Sequence, residues 1–173
     1  MPLTVMRHPP TAAAPGLCYG RHDPGLAPGW EARIDALAPA LAVRSIVTSP
    51  APRCLVPARR LAAALGVALQ EDARLQELDF GAWEGRPWSG IPRAESDPWA
   101  EDPHRRAPPG GETFAALAAR TARALAEAPP GALILCHAGP IRAMLMARGG
   151  LSFAQAFARP VPYATPLDPA APG

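Results

Sequence analysis

Apolar and polar positions alternate along this chain in short blocks that predict strands and helices in turn. Residues 3–6 form a brief apolar run closed by Pro9-Pro10, and they read as a buried strand delivering Arg7 and His8 at its carboxyl end. Residues 9–29 are dense in Pro and Gly and read as a loop. From 30 to 42 the apolar positions Ile34, Leu37, Ala38 and Leu41 recur at helical spacing despite Pro39. A second strand is expected over 44–48, and after Ser49-Pro50 a long helix runs through Leu65. Residues 67–70 read as a third, short strand, and 75–111 as a break-rich stretch carrying Trp83, Trp88 and Trp99. A helix over 112–127 places Phe114, Leu117, Ala118, Thr121 and Leu125 on one face. Residues 132–136 are the most strand-like run, apolar on both sides, and a helix is expected over 141–148. The Pro-rich tail, 159–173, offers at most one weak strand near Tyr163.

This alternation predicts an α/β protein: a three-layer α/β/α sandwich with a mostly parallel central sheet. At 173 residues one domain, 1–173, is expected, with the loop-rich 86–111 segment as a lid. In such sheets the ligand crevice lies beyond the carboxyl ends of the strands. That rule brings Arg7-His8, the turn from Thr48 to Arg53, and His137 to one rim.

Composition narrows the functional classes. All 17 basic residues are arginine, they are scattered among 15 acids, and net charge is +2, a poor match to a nucleic-acid surface. No run approaches the roughly 18 apolar residues of a membrane helix, and no signal peptide is visible at the start. Cys18, Cys54 and Cys136 fit neither a disulfide framework nor a zinc site, so reduced thiols and a cytoplasmic location are expected.

Two arginines suit a phosphate, because each guanidinium fork matches two phosphate oxygens. A histidine beside them can act as nucleophile, acid or charge stabiliser. No clustered aspartates of the kind that hold magnesium accompany them. Taken singly, Arg7-His8 reads as a solvated strand end, His137 as a core histidine and Arg53 as a helix-surface charge. Their joint occurrence at strand-to-turn junctions favours chemistry. A rival is a cysteine phosphatase, since Cys136 to Arg142 is a Cys-x5-Arg match between a strand and a helix. Pro140 would remove an amide from that loop, however, and the reading leaves Arg7, His8 and Arg53 without a task.

Arg7-His8-Pro9-Pro10-Thr11 resembles the Arg-His-Gly-x-Thr signature of the histidine phosphatase superfamily, the phosphoglycerate mutase-like proteins. Thr48-Ser49-Pro50 with Arg53, Glu77 before Phe80-Gly81-Ala82-Trp83-Glu84-Gly85, Pro109 to Glu112, and His137 to Arg142 resemble further blocks of that family in order. The loop from Pro15 to Asp23 is most similar to the α-ribazole phosphatases of cobalamin biosynthesis, which act on α-ribazole 5′-phosphate.

The resemblance implies a metal-independent phosphomonoesterase without cofactor, acting on a small phosphate ester. Its alternatives are a phosphatase or mutase of other small phosphate esters, and a phospho-ligand binding module without turnover. It implies His8 as nucleophile, Glu77 as general acid, and His137 as the second catalytic histidine. Arg7, Arg53, Thr11 and Ala138 are implied phosphate contacts. His22, Trp88 and Glu112 are the specificity candidates, with a stacking role for Trp88 or Trp99 set against simple anchoring of the lid. Two departures stand out: Pro9 replaces a glycine beside the nucleophile, and His22 stands where a small polar residue is usual. Monomer and homodimer are both left open.

Overall fold

In the computed structural model, which describes residues 2–170, five strands form one sheet in the order β3-β2-β4-β1-β5. They are β1 (Thr4–Arg7), β2 (Ser45–Thr48), β3 (Ala68–Glu71), β4 (Ala132–Cys136) and β5 (Pro166–Leu167). The first four are mutually parallel, and β5 runs antiparallel against β1. β4 is central, and each of its residues is buried, as its unbroken apolar sequence requires.

Because side chains alternate across a strand, the sheet feeds two separate cores. Met6, Ile46, Leu133 and Leu135 point to one face. There they meet Ile34 of α1 (Trp30–Leu37) and Cys54, Ala58 and Leu61 of α2 (Pro52–Leu65). Val5, Val47, Ile134 and Cys136 point to the other, against α4 (Phe114–Glu127) and α5 (Ala138–Gly149). The three-layer α/β/α sandwich with a mostly parallel sheet is thus the observed architecture.

Element ends differ from expectation for local reasons. Helix α2 starts at Pro52 because Ala51, preceding a proline, is held extended (φ −57°, ψ 133°), which leaves Ser49 in the short link between the carboxyl end of β2 and the helix. Helix α5 starts at Ala138, three residues earlier than the pattern indicates. Pro140 lies in its first turn, where the missing N–H has no helical partner to lose. Thr113 caps α4 by accepting from the Ala116 amide, so that helix begins at Phe114.

Two helices were not expected. The break-rich 75–111 stretch contains α3 (Arg93–Glu101), which Pro92 and Pro98 disguise in the sequence. α6 (Phe153–Ala158) follows α5 and carries Phe153 and Phe157. In the tail, Tyr163 makes an isolated bridge to Arg7 and Pro166–Leu167 forms β5; the last tail residues, 171–173, lie outside the described residues.

Candidate active site

A cavity of about 400 Å³ opens at the carboxyl ends of β1 and β4. Arg7, His8, Arg53, Glu77, Ala138 and Arg142 line one part of it, and Leu17, Phe80, Trp88, Trp99, Phe114 and Phe157 form an apolar, largely aromatic wall.

His8 is 2% exposed at the end of β1, and its amide donates to the Cys136 carbonyl at 3.0 Å. Its Nδ1 lies 2.7 Å from the Pro9 carbonyl oxygen. A carbonyl only accepts, so Nδ1 carries the proton and Nε2 keeps its lone pair. Burial, with Arg53 and Arg7 nearby, depresses the His8 pKa from 6.5 to about 3, so the ring is neutral at working pH. Proline at position 9 fixes the backbone that presents this acceptor. His137 is fully buried, its ring centroid 5.3 Å from that of His8, and its Nε2 is 2.8 Å from the Ser49 Oγ. Burial first, then Arg53 and His8, hold its pKa well below the usual histidine value.

Arg53 enters from the first turn of α2 and is 1% exposed. It donates to the Gly20 carbonyl (2.5 Å), the His22 carbonyl (3.1 Å) and the Asp23 carboxylate (2.8 Å), and lies 5.2 Å over the Tyr19 ring. Arg7 donates to the Val161 carbonyl and stacks 3.7 Å over the Tyr163 ring. The Nε atoms of Arg7, Arg53 and Arg142 are buried and have no hydrogen-bond partner among the described residues. Three unsatisfied cationic donors around one cavity are costly without an anion to accept from them.

Glu77 meets α5 through its Oε2, which accepts from the Gly139 amide at 3.2 Å, while Oε1 accepts from Leu78. Its loop is fastened by Arg120, which donates to the carbonyls of Arg74, Gln76 and Glu77 and pairs with Glu112 at 2.5 Å.

Of the residues singled out in the sequence, Arg7, His8, Arg53, Glu77, Ala138 and Trp88 meet in the cavity, and His137 stands directly behind His8. Three others lie elsewhere. Thr11 bonds the Tyr19 hydroxyl at 3.0 Å. His22 is exposed and contributes its backbone carbonyl to Arg53. Glu112 buttresses the Glu77 loop from outside the cavity lining. Trp88 and Trp99 stack on each other (5.9 Å, 24°) and meet the buried Trp83 edge-on, so anchoring and cavity lining are combined.

Sequence reasoning missed Tyr19, Tyr163, Ser49 and the lining role of Arg142. Tyr19, Ser49 and Arg142 lay inside motifs already in view, whereas Tyr163 did not. The cysteine rival loses its nucleophile, since Cys136 faces the core beneath α5 and burial pushes its thiol far up, away from the reactive thiolate.

Residues 3–166 match the family described as histidine phosphatase superfamily (branch 1). A bifunctional protein of Mycobacterium tuberculosis is 35% identical over 159 residues, 83% of this chain and 43% of the relative. An uncharacterized protein of Mycobacterium bovis matches equally, so the chain spans less than half the length of these curated relatives. Among solved structures, the α-ribazole phosphatase from Shigella flexneri superposes with a TM-score of 0.85 at 22% identity, covering 96% of this chain and 88% of that one. A mycobacterial glucosyl-3-phosphoglycerate phosphatase in complex with VO3 does so with a TM-score of 0.79 at 27% identity, covering 95% and 88%.

Proposed function

The chain belongs to the histidine phosphatase superfamily, branch 1, and from that premise we propose that it is a phosphomonoesterase working without a metal, through a phosphohistidine on His8. The observation that carries the proposal is the convergence of three arginines, Arg7, Arg53 and Arg142, on the one cavity where His8 offers Nε2, each with a buried Nε that has no partner among the described residues.

The first step forms a bond from His8 Nε2 to phosphorus and breaks the ester P–O bond, and Glu77 gives its proton to the departing alkoxide. In the second step a water loses a proton to Glu77, its oxygen bonds phosphorus, and the N–P bond breaks to restore His8. Arg7, Arg53 and His137 hold the equatorial oxygens, where most catalysis of phosphoryl transfer arises. The Pro9 carbonyl keeps the His8 proton on Nδ1 throughout. Residues 86–111 serve as the cover of this single catalytic unit, and the three buried free thiols fit a reducing compartment such as the cytoplasm.

For the ester itself two classes have support. The loop from Pro15 to Asp23 and the aromatic wall favour a planar neutral leaving group, as in α-ribazole 5′-phosphate of cobalamin biosynthesis. Arg142 favours a small acidic ester of the phosphoglycerate kind. The activity is tested with p-nitrophenyl phosphate in excess EDTA. Full turnover is expected, and strict dependence on added magnesium or zinc would contradict the pocket assigned here.

A further inference from the structure

Arg142 is a partly buried arginine with no carboxylate paired to it among the described residues. It lines the cavity from α5, yet it makes no hydrogen bond or ion pair among the described residues, and its Nε is a buried orphan. Among the described residues its guanidinium lies over the Phe157 ring of α6, with 4.9 Å from the guanidinium carbon to the ring centroid. By contrast Arg53 is committed to two carbonyls and a carboxylate, and Arg120 to three carbonyls and Glu112.

The position of Arg142 is informative. Gly139, whose amide bonds Glu77, precedes Arg142 by three residues, so the two share one face of α5. The carboxylate of Glu77 and the guanidinium of Arg7 are the charges it feels, and burial disfavours its own charge. It therefore stands on the side of the cavity where Glu77 meets the leaving alcohol, and the exposed Phe157 marks that side as the mouth.

Resting on the phosphatase reading above, we propose that Arg142 is a second anion subsite, which binds a carboxylate or equivalent acidic group on the leaving alcohol. The preferred substrate is then an acidic phosphomonoester, whose phosphoryl group sits on Arg7 and Arg53 and whose second charge sits on Arg142. A planar guanidinium held against an aromatic ring is preorganised for such a carboxylate and loses little freedom on binding it.

The test compares 3-phosphoglycerate with glycerol 3-phosphate, which differ in carboxylate against hydroxymethyl at one carbon. The wild-type kcat/KM should favour the acid by about ten- to a hundredfold, the worth of one hydrogen bond to a charged group. In Arg142→Met, which keeps an apolar stem against Phe157, that ratio should collapse toward one, chiefly through KM for the acid. Arg142→Lys should restore part of it. A wild-type ratio near one, a ratio untouched by Arg142→Met, or a preference for α-ribazole 5′-phosphate over 3-phosphoglycerate would each overturn the inference while leaving the phosphatase standing. Failure to hydrolyse p-nitrophenyl phosphate would remove the phosphatase reading itself and this inference with it.

Discussion

The Nδ1–H of His8 points at an acceptor that cannot donate, which leaves the lone pair on Nε2, and burial, with Arg53 and Arg7 close by, keeps the ring neutral against the opposing pull of that hydrogen bond. The same burial has a cost that pH exposes. With a native pKa of about 3 against 6.5 for an ordinary histidine, His8 stays unprotonated in the fold while the unfolded chain takes up a proton. Stability from this group is therefore complete above about pH 6.5 and falls as pH drops toward 3. In buffer free of phosphate, denaturant unfolding of wild type should lose stability between about pH 6 and 4 faster than His8→Gln does, by roughly 1.4 kcal/mol per pH unit. Parallel curves would show that His8 titrates normally. At this scale the sequence located Arg7, His8, Arg53 and His137 because each ends a strand or begins the helix after one. It could not find Tyr163, which reaches Arg7 through a tail with no periodic pattern. Nor could it see that His22 is needed for its carbonyl, since backbone roles leave no residue-type signal.

Among the elements, the irregular segment from Gly20 to Asp23 is consequential, because its carbonyls and Asp23 hold Arg53. Glu84 secures that segment. Its carboxylate accepts from the amides of Gly20, Arg21 and His22, and from Phe80. Burial alone would raise its pKa, but the four amide donors outweigh burial and hold it below the usual carboxylate value. Glu84→Gln replaces an acceptor oxygen with a donor NH2, so amides of the clamp lose their partner. It should weaken inorganic phosphate binding by about tenfold or more through misplacement of Arg53, whereas thermal stability loss alone, with phosphate affinity unchanged in calorimetry, would limit Glu84 to a structural role. Gly20 itself is required, since a Cβ there would run into the Leu78 carbonyl. The four parallel strands and the long helices were legible from period and composition. α3 was hidden by its prolines. α6 is only six residues long, and its Ser152–Gln155 capping box was the one signal that could have revealed it.

Across the whole molecule, the sheet's two cores leave the carboxyl ends of β1 and β4 to a cationic floor, and the segment from Phe80 to Trp99, with α6, closes over them as an aromatic wall. The sandwich and its active edge followed from strand–helix alternation, because parallel strands oblige crossover helices and leave their carboxyl ends open. The wall did not, because its rings meet across distant segments that no local periodicity links. The proposed function rests on one covalent bond, from His8 Nε2 to phosphorus. Rapid acid-free quench of the enzyme with a labelled phosphate ester, followed by peptide mapping, measures that bond directly. The label should lie on His8, be labile in acid and stable in base, vanish in His8→Ala, and persist in Cys136→Ala. A label on the peptide containing Cys136, or full turnover by His8→Ala, would contradict the account.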